Sequence, residues 1–202
     1  MRRTLAPVCA AISMLMAAPT SAATIVFTAP LTPEVAGATG SGFVTVTVDD
    51  VANTLAISAN WSGLTGTTTI AHIHCCVSPP GTVGVAVTPG TLPGFPMGLT
   101  SGSYTTPSPL DLTSAATFTG TFVTNFGGGT TAGAQAALLD GLNNGTAYFN
   151  IHTTEVPGGE IRGFLAPIPE PQTWALMIAG FGLLGAVMRR SRRIRLQSPA
   201  LA

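Results

Sequence analysis

The chain has 202 residues, of which 46% are hydrophobic and 8% charged, and it contains no lysine. Seven of its eight arginines lie in the two terminal segments, so Thr24–Leu165 sets Arg162 alone against Glu34, Asp49, Asp50, Asp111, Asp140, Glu155 and Glu160, a net charge of −6. That balance excludes nucleic acid and anionic membrane surfaces as partners of this part.

Met1–Ala23 has the form of a signal peptide: Arg2 and Arg3 at the start, an apolar run over Leu5–Ala18, and a small-residue cleavage pattern at Ser21-Ala22-Ala23. Cys9 lies inside it and leaves with it. Thr24–Leu165 is then long enough for one domain with a core of its own.

The domain reads as all-β. Phe43–Val48 alternates, with Val44, Val46 and Val48 on one face, and Leu55–Trp61 repeats the pattern. Ile70–Val77, Ala116–Val123, Thr146–Thr153 and Glu160–Leu165 are the other expected strands. Asp49-Asp50, Gly63, Pro79-Pro80-Gly81, Asn143-Asn144-Gly145 and Pro157-Gly158-Gly159 are turn signals between them. One short helix is expected over Gly133–Leu142, where Ala134, Ala137 and Leu138 recur at helical spacing. Gly81–Pro109, rich in Pro and Gly, reads as an irregular crossing. Short antiparallel strands with one long crossing suggest a Greek-key sandwich or barrel.

After the domain comes Pro169-Glu170-Pro171, an extended joint. The uncharged apolar run Trp174–Met188 follows, and then Arg189, Arg190, Arg192, Arg193 and Arg195. An apolar segment stopped by arginines reads as a transmembrane helix with its basic end, and the tail 194–202, in the cytoplasm. Fifteen residues of helix reach only about 22 Å against a hydrocarbon core of about 30 Å, so the span is short. The stretch PEPQTWALMIAGFGLLGAVMRR over 169–190 closely resembles a PEP-CTERM sorting signal. The resemblance implies recognition and cleavage near Pro169–Pro171 by an exosortase-type membrane peptidase, in a Gram-negative, exopolysaccharide-producing bacterium. The product would be a cell-surface or extracellular protein. Its expected partners are exopolysaccharide or other envelope proteins.

A second resemblance covers most of residues 24–166. Ala71-His72-Ile73-His74, then Ala147-Tyr148-Phe149-Asn150-Ile151-His152-Thr153, then Pro157-Gly158-Gly159-Glu160-Ile161-Arg162-Gly163 is similar to the chordin (CHRD) domain. It implies an exported β-domain and no particular activity.

All three histidines of the chain fall in these motifs. His72 and His74 leave the same face of one strand, and His152 shares a face with Tyr148 and Asn150 on another. If those strands are neighbours, three imidazoles converge into a site suited to copper or zinc. The arrangement also resembles the copper side of copper/zinc superoxide dismutases. It lacks a bridging histidine and a zinc set, so dismutase activity is not expected. The competing reading is structural: each histidine bonds a backbone carbonyl or a carboxylate, with Glu155 and Glu160 close by in sequence. Cys75-Cys76 leaves open a vicinal disulfide, an intermolecular bridge or two buried thiols, with Cys76 on the histidine face by parity. Glu160 and Arg162 share a face and are expected to pair with each other or with a neighbouring strand, Arg162 tying Glu155 or Asp140. Asp49-Asp50 reads as a turn before it reads as a calcium site. No nucleophile elbow, phosphate loop or catalytic carboxylate pair stands out. The leading expectation is therefore a non-enzymatic surface protein without a cofactor, and the alternative is a three-histidine metal site.

Overall fold

The computed structural model describes residues 24–168, 177–185 and 188–189. The signal-peptide reading, Pro169-Glu170-Pro171, Arg190, Arg192, Arg193 and the tail 194–202 lie outside them. Ten strands form one curled, wholly antiparallel sheet: β1 (Thr24–Pro33), β2 (Ser41–Asp49), β3 (Thr54–Ser62), β4 (Thr68–His74), β5 (Val85–Val87), β6 (Gly102–Thr105), β7 (Leu110–Asp111), β8 (Tyr148–Thr153), β9 (Ile161–Phe164) and β10 (Ala166–Pro167). The order is β5-β4-β8-β9-β1-β2-β3-β6, with β10 also on β1 and β7 on β3.

Strand β1 joins the two halves. Its residues Thr24–Leu31 pair with β2, whereas Thr32 and Pro33 pair with Arg162 and Ile161 of β9. Alternation does the rest. Phe27, Ala29 and Leu31, Val44, Val46 and Val48, and Leu55, Ile57, Ala59 and Trp61 are buried on facing registers, with Phe27 opposite Val46 and Val46 opposite Ile57. Strand β1 escapes a sequence reading because Pro30 and Pro33 demote the run, although its alternation is as regular as that of β2.

The expected helix is present as α2 (Thr131–Asn143), capped by the Thr130 hydroxyl, which accepts from the Gly133 amide at 3.0 Å. The expected strand Ala116–Val123 is not. Ala115–Thr117 is a 3-10 turn, Phe118 makes one bridge to Val87, and α1 (Gly120–Asn125) follows with Thr119 as its cap. The misreading has a clear source. Phe118, Phe122 and Phe126 share even parity, as on a strand, but are also four apart, and their rings stack in series at 6.1 and 5.3 Å. Gly81–Pro109 is less irregular than expected, since it holds β5 and β6 and contributes Leu92 and Phe95 to the core.

Residues 177–185 and 188–189 are helical, with Ile178, Phe181, Leu183, Leu184 and Met188 exposed. Among the described residues, however, no helix is long and apolar enough to cross a membrane, so the transmembrane part of the expectation is unsupported.

Strand β4 ends at His74, and the next two residues, Cys75 and Cys76, are joined in a vicinal disulfide. The disulfide packs on α2 at Gly141, where a Cβ would clash with Cys75 Sγ and lie 2.9 Å from Cys76 Sγ. Gly141→Ala is therefore expected to destabilise the fold by about 1–3 kcal/mol through overpacking. The shift of the urea midpoint measures it, and an unchanged midpoint would show that the helix moves away freely.

Candidate metal centre

Strands β4 and β8 are neighbours, with His72 opposite Asn150 and Ile70 opposite His152. The three imidazoles accordingly come together. Their exposures are 4% for His72, 8% for His74 and 7% for His152. One ring nitrogen from each can be chosen so that all three lie within 4.8 Å of one another.

The second nitrogen of each ring is committed elsewhere. His72 Nδ1 lies 3.0 Å from the Gly90 carbonyl, His74 Nδ1 2.7 Å from the Val83 carbonyl, and His152 Nδ1 2.7 Å from the Pro157 carbonyl. A carbonyl oxygen only accepts, so each Nδ1 carries the hydrogen. A neutral ring then presents a bare lone pair on Nε2. His72 Nε2 and His152 Nε2 are 2.7 Å apart, and His74 Nε2 is buried without a hydrogen-bond partner. Two lone pairs at that separation repel unless a proton or a metal ion sits between them. Burial, helped by the neighbouring His152 and His74 rings, lowers the His72 pKa to about 4, and burial likewise lowers that of His74. Nδ1 held by a backbone carbonyl with Nε2 facing inward is the usual outer arrangement of a metal-binding histidine.

A polar belt surrounds the rings. Tyr148 stacks on His74 with ring centroids 4.6 Å apart and planes 3° from parallel, and its hydroxyl bonds both the amide and the carbonyl of Val83 at 3.3 Å. The Arg162 guanidinium lies 5.0 Å from the Tyr148 ring centroid, pairs with Glu34 at 3.0 Å and donates to the Gly81 and Pro80 carbonyls at 3.0 and 2.7 Å. Glu34 also accepts from Asn150 Nδ2 at 3.0 Å. Burial pushes the Glu34 carboxyl up, against the pull of Arg162 and Asn150.

Glu160 faces the other way. It is fully buried and accepts from the Thr65 amide, from the Gly66 amide at 3.1 Å and from the Thr153 hydroxyl at 2.6 Å. Burial alone would raise its carboxyl, but the Thr153 hydroxyl and the two amides outweigh it and hold the pKa below the ordinary 4.5. Glu160 thus ties the 65–66 turn to the strand end that carries His152.

Of the residues singled out from sequence, His72, His74 and His152 meet. Arg162 pairs neither with Glu160 nor with Glu155 or Asp140; its partner is Glu34, far away in the sequence and without any local signal. The histidine partners are carbonyls rather than Glu155 or Glu160. Of the three options open for the cysteines, the vicinal disulfide is the one present. Asp49 Oδ1 accepts from the Val51 and Ala52 amides at 3.0 and 2.8 Å, which makes the acidic pair a turn.

A curled antiparallel domain with a buried three-histidine cluster is thus the class of molecule. The chain belongs to the CHRD domain family, whose model matches residues 27–165. A PEP-CTERM protein-sorting motif matches residues 167–193. No curated protein and no solved structure matches the chain. The two family matches make it an exported protein sorted by an exosortase-type system.

Replacing Glu160 by Gln removes the anion that three donors converge on, and should cost about 2 kcal/mol at neutral pH. The sign of the pH dependence follows from the depressed carboxyl. Its stabilisation is complete above the unfolded value near 4.5 and is lost as the pH falls through the lower folded value. Urea titrations of the two proteins across that range should therefore converge at low pH; a gap that persists there would contradict the assignment.

Proposed function

We propose that this protein is an exported, non-enzymatic metal-binding module that holds one copper or zinc ion at His72, His74 and His152. One observation carries the reading: three Nδ1–H groups are spent on carbonyls, which leaves three Nε2 lone pairs facing one another in a buried space. Imidazole nitrogen suits both ions, and three such ligands are an accepted set for either. The bare structural reading accounts for the carbonyl bonds. It accounts for the His72–His152 contact only by placing a proton between the two Nε2 atoms, and it leaves the buried His74 Nε2 without a partner.

The residues present fit such an ion. His72, His74 and His152 would supply the nitrogen donors, and the bound ion would act as a charge that draws the lone pairs together. The belt of Tyr148, Asn150, Glu34 and Arg162 holds the rings and carries no net charge of its own when Glu34 is ionised. The rings are covered by the 75–90 and 154–160 segments, an enclosure that favours retention of an ion over turnover of a bulky substrate. At the cell surface the module would store, deliver or be stabilised by its metal.

Elemental mass spectrometry of the exported protein, purified without a metal-binding tag, is expected to find close to one copper or zinc per chain. His72→Ala is expected to lose that metal and most of the metal-dependent rise in melting temperature. Wild-type protein that takes neither ion, even after incubation with both, would return the histidines to a structural role and the chain to the surface-protein reading.

A further inference from the structure

We propose that Arg162 is the positioning residue of the centre, the group that presents His74 as its third ligand; this rests on the metal reading above. His72 and His152 are already in contact through Nε2, whereas His74 is held only by its surroundings. Two of those surroundings lead back to Arg162. The first is the column of rings: His74 lies on Tyr148, and the guanidinium covers the Tyr148 ring at 5.0 Å. The second is the segment between Cys75 and Gly84, which leaves β4 directly after His74 and returns as β5. Arg162 donates to Pro80 and Gly81 of that segment, and Val83, two residues further on, provides the carbonyl that holds His74 Nδ1. Glu34 completes the fixture, its Oε1 lying 3.0 Å from Nη1, the nitrogen that also donates to the Gly81 carbonyl.

The planar fork is what the arrangement requires. One guanidinium reaches two consecutive carbonyls and a carboxylate while keeping a face over an aromatic ring, and a lysine ammonium cannot do all of these at once. Arg162 touches neither the metal position nor any Nε2 on this account. Its influence passes through Tyr148 and through the 80–83 peptide chain to a single ring, while His72 and His152 rest on Gly90 and Pro157, which Arg162 does not bond.

The test uses the full chain with 15N-labelled histidine, read first without metal. Long-range nitrogen–proton spectra should show Nδ1–H on all three rings of the wild type. In Arg162→Gln, His74 alone should lose its single tautomer, and zinc affinity measured by chelator competition should fall about 10- to 100-fold, as for other outer-layer partners. Arg162→Lys keeps the charge beside Glu34 and guards against a variant that fails to fold; His74 should be released there as well. If either folded variant has a lower melting temperature but keeps the His74 tautomer and the zinc affinity of the wild type, Arg162 is structural and the proposal fails. If the wild type takes no zinc while His74 alone responds to the substitutions, the metal reading fails and Arg162 remains the residue that sets His74.

Discussion

Three hydrogen bonds from histidine Nδ1 to backbone carbonyls decide what this site can be. Each fixes a tautomer, and each turns the remaining lone pair inward. The carbonyls come from Gly90, Val83 and Pro157, residues of the loops laid over β4 and β8, so the loops determine the chemistry as much as the strands do. A bare structural histidine satisfies one nitrogen and lets the other reach solvent or a second partner. Here the second nitrogens of His72 and His152 meet each other, and that of His74 is buried beside them without a partner.

The sheet supplies the proximity and the loops supply the polarity of the site. Strands β4, β8 and β9 place His72 and His74, then Tyr148, Asn150 and His152, then Arg162 side by side on one face, while Ile73, Phe149, Ile151 and Ile161 fill the core on the other. A strand with both faces buried must satisfy polar groups on the second face internally. Strand β8, buried along its whole length, does so through His152 to Pro157, Asn150 Nδ2 to Glu34 and Tyr148 to Val83, with Asn150 Oδ1 left unpartnered. Glu34 directly follows β1, the strand that joins the two halves of the sheet, so the belt and the curl of the sheet depend on the same segment.

Much of this was legible in the chain. Period-two runs located β2, β3, β4, β8 and β9, and strand parity alone put the histidines on common faces. What was not legible arises from long-range packing. Phe118 and Phe122 fit a strand and a helix equally well by spacing, and only the Thr119 cap and the stacking against Phe126 select the helix. The prolines of β1 hid a strand whose pairing partners lie on both sides of it. Glu34 could not be tied to Arg162 because the two are more than a hundred positions apart, and no local pattern marks a carbonyl such as Val83 as a histidine partner. The vicinal disulfide stood among the sequence readings, but its seat on Gly141 follows only once α2 is placed.

The most direct test of the central claim is X-ray absorption at the metal edge of the protein loaded with one equivalent of zinc. Convergent Nε2 donors predict a first shell containing three imidazole nitrogens at about 2.0–2.1 Å. A shell of oxygens alone, or one containing thiolate sulfur at about 2.3 Å, would place the ion elsewhere and contradict the assignment.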